Sequence, residues 1–435
     1  MIFLIESSTS NSYNSDTYFF MKFSRFIVVG MIASVINLLL GFFLVKVHTF
    51  FLTKASYAYL ILILSFVNLI STTCSGAFDS SVRRYYHEFI SMKEINQGLV
   101  FTSSILSELF MLIFFFILSI IYSVTGYQVL PIDNYVNSFF LMGPLAFSII
   151  LYLLTNAVLI TEQNLLKSPI HVITLAFLKL ILSFFGLIII KSFFIVIIVY
   201  TISHIIPTFF FLPNILKKDK MRLLPKNELI RVLKYGIPIV IRNFLKQSSS
   251  FLMIIIILIL LGPEPAAIVG LGLNIAISLD VLLGFIFQSY EPFVISCYKA
   301  KSLDKTFYPR MFTQYFLVGI LFLSFWLNSI SAIFIVIISN IDYLDALLYL
   351  PFALGSILII RFGKLVSVGI IVKERTEFEI VILFIGLLTF IGSMLILIPQ
   401  FGLIAIGISE LIYGVMILSL NWISGRYLYS LKIKT

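Results

Sequence analysis

Charge is scarce in this sequence. Of its 435 residues only 11% are Asp, Glu, Lys or Arg, where a soluble domain carries about a quarter. That shortage excludes the two or three soluble domains that length alone would suggest. Cysteine is scarcer still. Cys74 and Cys297 are the only two, with no Cys-x-x-Cys and no clustered His/Cys spacing, so neither a disulfide framework nor a metal site is readable. Of the four histidines, His48, His87 and His171 fall in loops or at helix ends and His204 in an apolar run, and each reads as a packing or helix-end residue. Catalytic signatures are missing as well: there is no HExxH, no nucleophile elbow and no carboxylate pair at an aqueous edge. Gly270-Leu271-Gly272 lies inside an apolar run rather than after a strand, so it is no phosphate loop.

What is abundant is apolar residues. They make up 60% of the chain, with a mean hydropathy of +1.10. Runs of about twenty apolar residues recur along the whole sequence, each long enough to cross a hydrocarbon core of about 30 Å as a helix. The pattern predicts helices at 24–46, 57–80, 98–122, 137–160, 169–190 and 193–213, a basic stretch over 217–234, and a second set at 235–261, 266–290, 311–336, 347–371, 378–398 and 402–425. An interfacial piece is expected near 333–345. The fold class is therefore all-α: a polytopic membrane protein of about twelve transmembrane helices. Residues 1–20 are polar and unlike a signal peptide, and Met21-Lys22-Phe23-Ser24-Arg25 resembles a natural start. The first twenty residues are expected to be a disordered tail or the product of an upstream start.

Lysine and arginine set the orientation. With both termini cytoplasmic, 22 of the 30 fall inside, Lys46, Lys54 and Lys191 fall outside, and five lie within predicted spans. The inverse arrangement would oppose the positive-inside rule. The net charge of +10 thus reflects membrane orientation, and no soluble basic domain is present to bind nucleic acid. Shifting the first six helices by about 209 residues lays each on its counterpart in the second six. Six is even, so the halves share one orientation, a parallel repeat of the kind that encloses a central site in transporters. The expected division is a tail at 1–20, an N-terminal lobe at 21–216, a cytoplasmic linker at 217–234 and a C-terminal lobe at 235–435, the two six-helix lobes enclosing a central cavity.

Ionisable residues within the spans carry the functional information, because each costs roughly 2.5–3.5 kcal/mol at a helix centre. Five are cations, Lys179, Arg242, Lys246, Arg361 and Lys364, and three are acids, Glu108, Asp280 and Glu410. Facing lipid, the eight would cost on the order of 20–28 kcal/mol, more than the stability of a typical protein. Most must face inward. Arg242 and Lys246 are i and i+4, and Arg361 and Lys364 are i and i+3, so each pair shares a helix face. Stacked like charges repel unless an acid or an anion lies between them. The cations either pair with the three acids, or snorkel toward the cytoplasmic surface, or line a cavity for an anionic head group such as a phosphate or pyrophosphate, for which Arg and Lys are both suited. Glu108, Asp280 and Glu410 are candidates for a coupling proton or sodium ion, or are the partners of the cations. Asn37, Asn156 and Asn274 fit helix–helix contacts or sugar hydroxyls.

Several short patterns carry a family resemblance. They are Lys234-Tyr235-Gly236-Ile237-Pro238, read as the start of helix 7, and the turn at Gly262. Gly76-Ala77-Phe78 with Arg83-Arg84-Tyr85-Tyr86 after helix 2, and Ile398-Pro399-Gln400-Phe401-Gly402-Leu403 between helices 11 and 12, complete the set. Over nearly the whole chain after Met21 the sequence resembles the polysaccharide transporters, the Wzx-type O-antigen flippases of the multidrug/oligosaccharidyl-lipid/polysaccharide exporter superfamily. The resemblance implies a bacterial inner-membrane protein with two lobes and alternating access, not an enzyme, and without a bound cofactor. The implied substrate is undecaprenyl-pyrophosphate-linked oligosaccharide on its way to lipopolysaccharide or another surface polysaccharide. Membrane lipids and the polysaccharide polymerase and chain-length machinery are its implied partners. The implied substrate-binding residues are Arg242, Lys246, Arg361, Lys364 and Lys179. A drug/ion antiporter of the same superfamily is one competing reading, although an acidic pocket would suit cationic drugs better. A membrane-embedded polymerase is the other, although outer connections of about ten to fifteen residues leave no room for a catalytic domain.

Overall fold

A computed structural model of the chain describes residues 13–91, 98–125, 135–162, 166–218, 221–277, 280, 318–319, 331–339, 341–367, 370 and 376–428. A backbone in hydrocarbon has no water to bond, so its polar groups must be satisfied within each segment, and an apolar chain of this kind can cross only as helices or as a closed barrel. The described residues are helical throughout, with no strand. They form α1 (Tyr13–Phe51), α2 (Lys54–Ser91), α3 (Leu99–Thr125), α4 (Tyr135–Thr161), α5 (Lys167–Ile189) and α6 (Phe193–Lys218) in the first half. In the second half come α7 (Lys226–Leu261) and α8 (Pro263–Ile277). After them follow α9 (Ser331–Ile338), a 3-10 segment (Ile341–Leu348), α10 (Leu350–Val366), α11 (Thr376–Phe401) and α12 (Leu403–Leu428).

Among the described residues nine helices are long and apolar enough to cross a bilayer, and the pair formed by the 3-10 segment and α10, bent by 48°, makes a tenth. The predicted helices at 266–290 and 311–336 lie largely outside the described residues. The protein is an all-α polytopic membrane protein with two lobes. The interfacial piece expected near 333–345 corresponds to the end of α9 and the 3-10 segment.

Several helices exceed their predicted lengths. α1 begins at Tyr13, inside the stretch expected as a tail. The basic linker at 217–234 is mostly helix, because α6 runs to Lys218 and α7 starts at Lys226. α2 has 38 residues, about 57 Å at 1.5 Å per residue, nearly twice the hydrocarbon thickness. Hydropathy marks only the part of a helix in lipid and is blind to its continuation into water. Arg83-Arg84-Tyr85-Tyr86, expected after helix 2, therefore lies on α2. Gly236 and Pro238, expected to open helix 7, lie well inside α7, where a proline is tolerated in a membrane helix. Both predicted turns are present: Gly262 closes α7 at φ 93° and Gly402 closes α11 at φ 58°, conformations that favour glycine.

The most extensive helix contact joins α2 to α7, across the two halves. Glycine brings the backbones together there: a Cβ on Gly236 would lie 3.3 Å from the Ala77 Cβ. Asn243 of α7 donates to the Thr72 carbonyl at 3.3 Å. At one end of the seam Arg231 forms a two-pronged bond to Glu88 at 2.6 and 3.1 Å and lies over Tyr85, while Arg84 lies over Tyr235. Of the residues that carried the family resemblance, Gly76, Ala77, Arg84, Tyr85, Tyr235 and Gly236 thus lie at the joint between the halves.

Within the second half, α12 packs along α10 and α11. Gly425 of α12 sits directly against the Val366 carbonyl at the end of α10, and a rigid backbone cannot yield to a methyl group. Gly425→Ala should destabilise the protein by about 1–3 kcal/mol, the usual cost of overpacking. Gly41→Ala, which would meet nothing within 4 Å, should change stability by no more than a few tenths. Thermal unfolding of the purified protein distinguishes the two.

Candidate functional site

Helical spacing puts Arg242 and Lys246 on one face of α7, and Arg361 and Lys364 on one face of α10. The fold turns these faces toward each other. Lys246 interacts electrostatically with Arg242, Arg361, Asp280 and Glu379, and Lys364 with Lys246, Arg361, Glu379 and Asp280. Four of the five predicted cations therefore form a single group in the second half of the chain.

Two acids enter the group on different terms. Asp280, just beyond α8, takes Arg361 in a fork: Nε donates to one carboxylate oxygen at 2.5 Å and Nη2 to the other at 2.6 Å. Such bidentate pairs are the strong ones. Glu379, in the first turn of α11, stands 3.5 Å from Arg242, a loose and half-exposed contact. Arg242 also donates to Asn243 Oδ1 at 3.4 Å, and Asn243 ties the group to α2. Among the described residues neither Lys246 nor Lys364 forms an ion pair, and both are exposed. Among the described residues, four cations against two acids leave the group with an excess of two positive charges. The pairing reading thus holds for Arg361, while the two lysines have no acid partner among the described residues.

Sequence reasoning missed Glu379. It reads as a boundary charge, because Glu377 and Glu379 open a helix and acids are favoured at helix N-termini. The signal that was present is arithmetic: Arg242 lacks an acid of its own among the three counted within spans.

The other candidates lie elsewhere. Glu410 on α12 bonds the Tyr349 hydroxyl, and its carbonyl accepts from Ser356 at 2.7 Å. Glu108 on α3 is buried near Cys74 of α2, and neither of its oxygens has a hydrogen-bond partner. Asp280 alone of the three acids is paired with a cation. Lys179, on α5, lies in the first half with its ammonium 4.7 Å above the Tyr200 ring. Two of the asparagines make helix–helix contacts: Asn156 accepts from Ser168 at 3.2 Å, and Asn274 donates to the Tyr57 hydroxyl at 3.3 Å, across the halves. No cluster of His, Cys, Asp and Glu able to hold a metal exists among the described residues. A hollow of about 450 Å³ between α10 and α12 is lined by Phe352, Ile408, Leu411, Ile412, Val415, Met416 and Ser419, with no charge to orient an ionic ligand.

The architecture matches solved structures over nearly its whole length. An inward-facing multidrug resistance MATE family transporter of the MOP superfamily superposes with a TM-score of 0.69 at 14% identity, covering 93% of this chain and 96% of that one. This chain carries the MATE transporter fold. The outward-facing form of a MATE family transporter gives 0.61, again at 14% identity, over 94% of this chain and 96% of that chain. A MOP superfamily transporter from Pyrococcus furiosus, described as having a binding pocket of reverse polarity that suggests a different function, gives 0.63 at 14% identity, over 94% and 96%. No protein-family model and no curated protein matches the chain. The likeness is one of fold, and within the MATE fold the cationic group is a property of this chain's own residues.

The unequal pairing predicts unequal stability effects. Asp280→Ala strands the Arg361 guanidinium, and should cost near the low end of the roughly 3–5 kcal/mol seen on removing one member of a buried pair. Removal of Arg361 in the same chain should recover part of it. Glu379→Ala removes a loose, exposed partner and should cost less than about 1 kcal/mol. Unfolding midpoints of the three variants check the order.

Proposed function

We propose that the chain is an alternating-access flippase for a lipid-linked oligosaccharide with a pyrophosphate head group, working in the plasma membrane with both termini cytoplasmic. The observation that carries this reading is the group on α7 and α10, with two positive charges in excess and two lysines open. A lysine facing hydrocarbon would cost roughly 2.5–3.5 kcal/mol, so an exposed pair within the spans requires either a wet cavity or an anion. A pyrophosphate meets the charge and offers several acceptor oxygens to Arg and Lys donors. Asp280 fixes the Arg361 fork in place, which holds one donor set in a defined orientation before substrate arrives.

Better superposition on the inward-facing than on the outward-facing neighbour supports a state open toward the cytoplasm, the side from which a lipid-linked precursor would enter. Positive residues crowd the same side. The alternative of a drug/ion antiporter draws support from the multidrug resistance transporters among the fold neighbours. A cationic group disfavours the organic cations that such exporters would have to hold, so the anionic substrate is the better match. The description of the Pyrococcus furiosus neighbour makes a similar association between pocket polarity and function within this fold.

Complementation of a flippase-deficient strain tests the proposal, scored as surface polysaccharide at matched protein levels. Wild type should restore the polymer, Arg242→Ala/Lys246→Ala should reduce it by about tenfold or more, since each lost 1.4 kcal/mol of head-group binding is a factor of ten, and Arg242→Lys should fall between them. Full activity in the double variant would remove these cations from the substrate path. Failure of wild type in a host making the matching glycan, together with protection of cells against a cationic dye, would favour the antiporter.

A further inference from the structure

The first half of the chain holds a further cation within its spans, Lys179, for which no acid partner is present among the described residues. Lys179 of α5 lies over Tyr200 of α6, and interacts electrostatically with His48 of α1 and His204 of α6. His48 stands 5.9 Å from the Tyr200 ring, centroid to centroid, and its Nε2 is buried without a partner. His204 Nδ1 bonds the Tyr200 carbonyl at 2.7 Å. Tyr152 of α4 lies between His171, stacked at 4.3 Å, and His204 at 5.5 Å. The sequence reading scattered these histidines over loops, helix ends and an apolar run, yet three of the four gather around one tyrosine–lysine core.

No Asp or Glu occurs between Met21 and Phe51, or anywhere in α4, α5 or α6. Those four helices pack together as one set, α1 on α5, α5 on α6 and α4 on α6. The faces that these four helices turn toward Lys179 therefore present imidazoles and phenol rings and no carboxylate. A ring face eases an ammonium by about 2 kcal/mol at best, less than the several kcal/mol an ion loses on leaving water. Evolution of a lysine at this position without an acid leaves one term unfilled, a negative charge supplied from outside the chain.

We propose that Lys179, His48 and His204 form a second anion site, separate from the group on α7 and α10, which takes a monovalent anion of the halide or carboxylate class. The ammonium supplies the charge. The unpartnered His48 Nε2, in its protonated-nitrogen tautomer, supplies a directed donor. Tyr57 of α2 adjoins Tyr200 electrostatically and bonds Asn274 of α8, so occupancy is linked to the contact between the halves. Two sources offer this chemistry: free chloride, and the carboxylate of an acidic sugar.

Binding is read without transport, so the result is independent of the flippase reading. The full chain is purified in detergent in sodium methanesulfonate. Sodium chloride and sodium glucuronate are then titrated separately at constant ionic strength, with the thermal unfolding midpoint as readout. Wild type should show a saturable rise with one of them. The same rise should persist in Arg242→Ala/Lys246→Ala, which lacks cations of the other group. Lys179→Met should need at least about tenfold more anion for the same rise, while Lys179→Arg keeps it. A chloride response assigns a halide site, and a glucuronate response alone assigns an acidic sugar. If Lys179→Met fails to fold, His48→Phe, which preserves the ring packing, should weaken the response in its place. No rise in wild type with either salt, or a rise unchanged in both Lys179→Met and His48→Phe, overturns the proposal.

Discussion

The structure is organised by the cost of holding a charge away from water. In a soluble protein an unpaired lysine turns outward at little expense, but in a chain that is 60% hydrophobic the outward direction is often lipid. Each ionisable group within a span must therefore find an acid, a ring, a wet cavity or an anion. Arg361 takes the first solution with Asp280, Lys179 the second with Tyr200. Lys246 and Lys364 have neither an acid nor a ring as partner among the described residues. Because the solutions differ, so does what each residue can do. A guanidinium locked in a carboxylate fork positions neighbours, whereas an open ammonium can exchange one partner for another.

The same constraint divides the halves of the molecule. In the second half acids enter the charged group from α11 and from just beyond α8, and they lower its charge without cancelling it. In the first half α4, α5 and α6 and the membrane portion of α1 contain no acid at all, and aromatic and imidazole rings surround the lone ammonium. If the halves descend from one repeat, as the shift of about 209 residues suggests, their charged interiors have diverged. One half is fitted with strong paired donors, and the other with a single cation in a shell of rings.

Hydropathy made the rough placement of the described spans legible, because the bilayer imposes a minimum apolar length. Helical spacing made the two cationic pairs legible, since i, i+3 and i+4 neighbours share a face in any helix. What stayed hidden depends on information outside a single helix. The continuation of α2 to Ser91 leaves the hydrocarbon, where polarity no longer signals a helix end. Glu379 looked like an end charge because its partner Arg242 stands on another helix, more than a hundred residues away in sequence. The gathering of His48, His171 and His204 was illegible for the same reason: single histidines on three helices have no shared period. Only the absence of acids from those helices could have been read, and it points to the same place.

The joint between the halves combines two kinds of contact. Along α2 and α7 the backbones approach through Gly236 and Gly76, the latter against Asn243. At the end bearing Lys46 and Lys54 the contacts are different in kind. Lys46 donates to the Ser339 carbonyl, Lys54 lies 5.8 Å above the Tyr343 ring, and Tyr57 meets Tyr343 edge-on at 6.0 Å. Each is a single polar or aromatic contact worth on the order of 1 kcal/mol, and each can be exchanged for water one at a time. A tight glycine seam thus lies beside single polar and aromatic contacts at that end. The cationic group on α7 and α10 reaches that seam through Asn243, which bonds Thr72 of α2.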